Sequence, residues 1–209
     1  TNVADFNSGM SFVSTSISSW NNNYSLVQRK KSVYMDNCNQ RELVVSKGSY
    51  QLKVYFRVYN DGIAFRYYIP GSGSAIIYNE YTRFNLPNGT GGWAYNWRND
   101  YEGLYEYKSY TAFNTADFAM PILASINNNS YWALITEGNV YNANGSYCTS
   151  HLHGSSGQDM QIAFAPEQTS PISTTYPFQT PYRVVIITSN LDDLVKSTLV
   201  TNLNPATQM

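Results

Sequence analysis

Charge, cysteine and histidine are all scarce in this chain of 209 residues. Charged residues make up only 13% of it, and 13 Lys and Arg against 14 Asp and Glu leave a formal net charge of −1. Nothing here is basic enough to grip phosphates, so nucleic acid is excluded as a partner. The two cysteines, Cys38 and Cys148, allow at most one disulfide. Nothing in the sequence says that they meet, and the expectation is two buried free thiols. No stretch is long and apolar enough to cross a bilayer, which argues against a membrane partner. Thr1 opens straight into polar sequence with no signal peptide, although a trimmed chain would read the same way.

Aromatic residues and asparagine are plentiful. Nineteen tyrosines and four tryptophans suit surfaces that stack on sugar rings, with asparagine to bond hydroxyls. Tyrosine and threonine also simply favour strands. At 23.6 kDa the chain can bury a good core as one large β-domain.

The strongest pattern lies at residues 51–69. Leu52, Val54, Phe56 and Val58 alternate with Lys53, Tyr55, Arg57 and Tyr59, the period of a half-buried strand. Asn60-Asp61-Gly62 supplies residues that tolerate positive φ, and alternation resumes through Ile63, Phe65, Tyr67 and Ile69. The stretch reads as a β-hairpin. Further strands are predicted at 42–45, within 75–86, at 120–125 and 131–137 around an Asn127-Asn128-Asn129 turn, and at 161–164 and 183–188.

Residues 1–23, rich in Ser, Thr and Asn, carry little periodicity and read as a short strand plus loop. A basic cluster follows at Arg29-Lys30-Lys31. The segment 87–99 reads as a loop holding Trp93 and Trp97. Near the C-terminus, Leu191, Leu194, Val195 and Leu199 share a helical face. Ser189 or Asn190 caps its start, Asp192 and Asp193 sit in the first turn, and Asn204-Pro205 ends it. There is no internal repeat and no boundary, so residues 1–209 are read as one domain, an all-β sandwich of antiparallel sheets with one short C-terminal helix.

Several residues could carry chemistry. Trp93 and Trp97 are stacking platforms or pack beneath their own loop. Glu102 and Tyr105 sit among Asp100, Tyr101 and Glu106; they bind sugar hydroxyls and ring faces, or Glu102 merely anchors the loop to Arg98 or Arg66. Glu80 and Thr82 read as structural. His151 and His153 would share a strand face, as a transition metal needs, but no third ligand is evident. With Gly154-Ser155-Ser156-Gly157 suggesting a mobile loop beside them, they read as two solvent-exposed histidines.

The wording of the hairpin goes further than its physics. Phe56-Arg57-Val58-Tyr59-Asn60-Asp61-Gly62-Ile63-Ala64-Phe65-Arg66-Tyr67 resembles the N-terminal domain of glycoside hydrolase family 97, a family of retaining and inverting α-glycosidases (α-glucosidases and α-galactosidases). Asn79-Glu80-Tyr81-Thr82-Arg83-Phe84, Tyr101-Glu102-Gly103-Leu104-Tyr105, Pro121, Trp132-Ala133-Leu134-Ile135-Thr136-Glu137 and Asn202-Leu203-Asn204-Pro205 follow in the family's order. The resemblance covers about Trp20 to Pro205 and sharpens the fold to the large galactose-mutarotase-like sandwich.

It also implies the functional expectations. The glutamate matching Glu137 is a ligand of a calcium ion shared with a catalytic (β/α)8 barrel; otherwise Glu137 is a solvated edge residue. One carboxylate cannot make a calcium site alone. Glycoside hydrolysis needs two carboxyl groups flanking the scissile bond, and in this family they sit mostly on the barrel that would begin beyond Asn204-Pro205. The chain therefore reads as the accessory domain without its barrel, inactive alone, supporting the barrel and lining one side of its active site. An oligo- or polysaccharide is the expected substrate, and the periplasm or exterior of a bacterium-type cell the expected location. Epimerase chemistry is rejected, because its histidine–carboxylate arrangement is not matched by two histidines so close together. The alternatives are a free-standing carbohydrate-binding module centred on Trp93, Glu102 and Tyr105, and a purely structural β-domain.

Overall fold

The computed structural model describes residues 1–26, 31–114, 116–140, 150–155 and 159–204. Cys148, Arg29, Lys30, Ser156, Gly157 and Pro205 lie outside the described residues. In chain order the strands are β1 (Ser11–Ser25), β2 (Val33–Lys47), β3 (Tyr50–Tyr59), β4 (Gly62–Ile69), β5 (Ser74–Ile77), β6 (Arg83–Asn85), β7 (Gly91–Ala94) and β8 (Glu106–Lys108). There follow β9 (Asp117–Phe118), β10 (Ile122–Ile126), β11 (Tyr131–Gly138), β12 (Ser150–Ser155), β13 (Asp159–Phe164), β14 (Ile172–Thr175), β15 (Phe178–Gln179) and β16 (Tyr182–Thr188), then the helices α1 (Leu191–Lys196) and α2 (Leu199–Leu203).

A ten-stranded antiparallel sheet runs in the order β1-β2-β3-β4-β16-β11-β10-β7-β8, with β15 beside β4. A four-stranded sheet, β6-β13-β12-β9, covers one end of it, and the pair β14-β5 covers the middle. Period-two alternation fixes what each strand buries. Ala133 and Ile135 of β11 and Ile122 and Ala124 of β10 meet Leu152, Met160 and Ile162 of the smaller sheet. Leu52, Ile69 and Phe178 meet Ala75, Ile77 and Ile172 in a second core. On the opposite face of the large sheet, Ala64, Val184 and Ile186 receive Leu199 and Leu203 of α2. Truncating Leu152, which has no exposed surface, to alanine would cost about 2–5 kcal/mol.

The predicted hairpin is β3–β4, with Tyr59 facing Gly62 across Asn60-Asp61. Gly62 lies so close to β16 that a Cβ would run into the Val185 carbonyl oxygen. The Asn127-Asn128-Asn129 turn joins β10 to β11, all three residues at φ between 50° and 66°, which asparagine tolerates best among side chains bearing a Cβ.

Four expectations need adjustment. The N-terminal segment is a 15-residue strand, β1, paired along its length with β2. Almost every residue of it is exposed, so no apolar face announced it. Part of the expected 87–99 loop is β7, where Gly92 lets the chain approach Leu123. The histidine segment is strand β12, not a loop. The C-terminal helix is present but broken at Ser197, whose ψ of 137° leaves helical geometry. Asn190 accepts from the Asp193 amide as its N-cap, as expected, yet α1 buries no residue and the apolar contact comes from Leu199 and Leu203.

Candidate functional site

Glu137 stands on β11 directly opposite Arg183 of β16, on the face that Ala133 and Ile135 turn into the core. It is therefore not a solvated edge glutamate: its side chain is only 14% exposed. The Arg183 Nη1 donates to Glu137 Oε2 at 2.6 Å, and the Ser150 hydroxyl donates to the same oxygen at 2.8 Å. Arg183 has no exposed surface and also holds Glu80 bidentately, Nε to Oε1 at 2.8 Å and Nη2 to Oε2 at 2.6 Å. Thr82 donates to Glu80 Oε1 at 2.8 Å, so the structural role expected for Glu80 and Thr82 is an inter-sheet ion-pair network. The hydrogen bonds to Glu137 from described residues all reach Oε2, which leaves Oε1 as a hard oxygen donor.

The 99–105 loop lies within electrostatic range of this carboxylate. Tyr101 sits at φ 57°, and burial, with Glu137 next in importance, pushes its phenol up to about 12. Its ring meets Tyr95 edge-on at 6.3 Å and Trp97 at 5.2 Å. Tyr105 also meets Tyr95 edge-on, at 4.9 Å, donates its hydroxyl to the Pro121 carbonyl and stays 44% exposed. Glu102 is exposed. Its amide donates to Asp100 Oδ1, and Arg98 pairs with Asp100 at 2.8 Å, so the loop anchor is Asp100 and not Glu102. Trp93 belongs elsewhere. It lies in β7 against Tyr107 and Trp132, at 5.3 and 5.8 Å, and among the described residues it shares no ring contact with Tyr101 or Tyr105. The structure thus brings Glu102 and Tyr105 onto one loop and leaves Trp93 in a separate ring cluster.

A second polar cluster lies beside the first. His151 follows Ser150 on β12, and Asp117 of β9 faces His153. Asp117 Oδ1 is 3.1 Å from His151 Nε2 and 2.6 Å from His153 Nδ1. His153 is exposed as expected, but His151 is only 3% exposed, its ring 5.2 Å from that of Trp97. Burial lowers the His151 pKa, with Asp117 opposing the shift. Cys38 is buried and unbonded.

Sequence reasoning missed Arg183, Ser150 and Asp117. Arg183 left one trace, a lone charge in the apolar strand Tyr182-Arg183-Val184-Val185-Ile186-Ile187. Ser150 and Asp117 left none, because their partners arrive only through sheet pairing.

Comparison with known proteins agrees with the fold. The chain is 27% identical over 164 residues to a protein of Streptomyces bingchenggensis (strain BCW-1) named "Probable retaining alpha-galactosidase", covering 78% of this chain and 24% of that protein. A single-residue variant of a glycoside hydrolase family 97 enzyme from Pseudoalteromonas sp. strain K8 superposes with a TM-score of 0.81 at 21% identity, over 93% of this chain and 30% of that one. A beta-arabinopyranosidase superposes with a TM-score of 0.79 at 23% identity, over 91% of this chain and 33% of that one. The chain thus spans about a quarter to a third of these relatives. The family model for the glycosyl-hydrolase 97 N-terminal region matches residues 1–205, and the chain belongs to that family.

Proposed function

We propose that this chain is the non-catalytic β-sandwich of a calcium-dependent α-glycosidase, bracing a catalytic barrel in the same polypeptide and forming a wall of its active site. The observation that carries the reading is the state of Glu137. Arg183 and Ser150 fix one carboxylate oxygen, and the other is a hard oxygen of the kind a divalent cation such as calcium takes. Calcium takes six to eight oxygen ligands, so Glu137 would contribute one and the barrel most of the rest. The domain's own part is to aim and hold that oxygen. Tyr101 and Tyr105 would face the glycoside, and the protein would work in the periplasm or outside the cell.

In the full-length protein, calorimetric titration with calcium tests this. Glu137→Gln is expected to weaken calcium binding at least tenfold while the fold persists. Unchanged affinity would remove Glu137 from the site. The 209-residue chain alone should not hydrolyse aryl α-glucosides or α-galactosides.

A second reading, a sugar-binding module, is favoured by the exposure of Tyr105 and Glu102. It predicts measurable affinity of the isolated chain for α-glucosides or α-galactosides, lost in Tyr105→Ala. A flat titration would sink it.

A further inference from the structure

Three side chains converge on the outer face of the smaller sheet. Leu152 of β12 and Phe118 of β9 face each other and point into the core. Period-two alternation therefore turns His151, His153 and Asp117 the other way, onto one face. His153 lies directly opposite Asp117, and His151 is its diagonal neighbour. One ligand atom from each lies within 4.8 Å of the others. Two imidazole nitrogens and a carboxylate oxygen make a donor set suited to zinc and its neighbours in the first transition series, and unsuited to calcium, which takes oxygen.

We propose that His151, His153 and Asp117 form a second metal site, for zinc or a similar divalent transition metal, separate from Glu137. In the geometry seen here, Asp117 Oδ1 lies between the two rings at 3.1 and 2.6 Å. Two ligand atoms of a tetrahedral zinc with bonds of about 2.0 Å stand about 3.3 Å apart. Loading would widen both Asp117 contacts by less than about 1 Å to reach that distance, the metal replacing the protons now shared between carboxylate and rings.

His151 is fixed by burial beneath Trp97. His153, 57% exposed, leaves the outer side open for a fourth ligand, water or a substrate oxygen, as in zinc sites with three protein ligands. One feature limits affinity. His151 Nδ1 is buried with no hydrogen-bond partner, whereas ligating histidines ordinarily donate their second N–H to an acceptor, and losing that acceptor weakens binding about 10–100-fold. Micromolar affinity is therefore expected, not the far tighter binding of a structural zinc.

The test is calorimetric titration of the EDTA-treated, dialysed chain with zinc chloride, alongside His153→Ala, Asp117→Asn and Glu137→Gln. His153→Ala removes an exposed side chain and should leave the far-ultraviolet circular dichroism unchanged. One micromolar site is expected in the parent chain, weakened at least tenfold in His153→Ala and in Asp117→Asn. Glu137→Gln and millimolar calcium should both leave it unchanged, so this result stands or falls apart from the calcium reading. No zinc binding below millimolar concentration, or a change under tenfold in His153→Ala, overturns the proposal.

Discussion

Arg183 and Arg66 stand on neighbouring strands. Arg183 faces Phe65 across the ladder, so a single residue of register separates the two arginines and turns them to opposite faces of the large sheet. Arg183 points into the core with no exposed surface and is held by two carboxylates. Arg66 lies over the rings of Tyr182 and Tyr55, at 4.5 and 5.9 Å. No carboxylate is within ion-pair reach of it among the described residues, and its Nε has no hydrogen-bond partner. Burial pulls its pKa down. Arg66 is tolerable because its head borders a polar cavity of about 220 Å³ that also takes in Arg57 and Asp36. A cation sealed between sheets needs formal counter-charge; one at an open face manages with aromatic rings and solvent.

The sharpest way to break this comparison is to remove each cation in turn. Arg183→Met strands Glu80 and Glu137 in the core and should cost about 3–5 kcal/mol, read as a fall in urea midpoint at constant m-value. Glu137→Gln keeps the shape but gives up a charge-assisted bond, for about 2 kcal/mol. If it costs as much as Arg183→Met, the network pivots on Glu137 instead. Arg66→Met should cost only about 1 kcal/mol. A loss equal to that of Arg183→Met would show that the outer face is as demanding as the core.

The smallest effect concerns an exposed pair, which calibrates the two buried ones. The Arg98 hydrogen bond, with the Glu102 amide, holds the Asp100 carboxyl down at about 2. A depressed folded pKa stabilises the fold above the unfolded value near about 4, and that contribution fades as pH falls towards about 2. Arg98→Ala should return Asp100 towards the ordinary carboxylate range in a carbon-13 titration. No movement would mean that the Glu102 amide alone sets it.

Local features of this molecule were legible in the sequence, and convergent ones were not. The β3–β4 hairpin follows from alternation and an Asn-Asp-Gly turn, and the β10–β11 turn from three asparagines, because each signal is contained within a few residues. Glu137 was placed on the correct strand by the same alternation, and its significance came from resemblance. Arg183 and Glu80 are 103 residues apart, and Asp117 and His153 are 36 apart. No periodicity encodes such meetings; sheet order does. The full length of β1 was not legible, for the opposite reason: with both faces exposed, nothing selects an apolar alternation that would extend the short strand expected there.

That strand has one more consequence. From Ser11 to Ser25 it contains no charged residue, no proline and no glycine, and its outer edge pairs with nothing among the described residues. Phe12 and Ile17 stand exposed on it. Charge and proline, two of the devices by which natural edge strands refuse an incoming chain, are missing, and the irregularity in register between Phe12 and Ser14 interrupts the border only near its start. Handled by itself at high concentration, the domain is expected to associate along this border before its core gives way, which sedimentation at rising concentration would read.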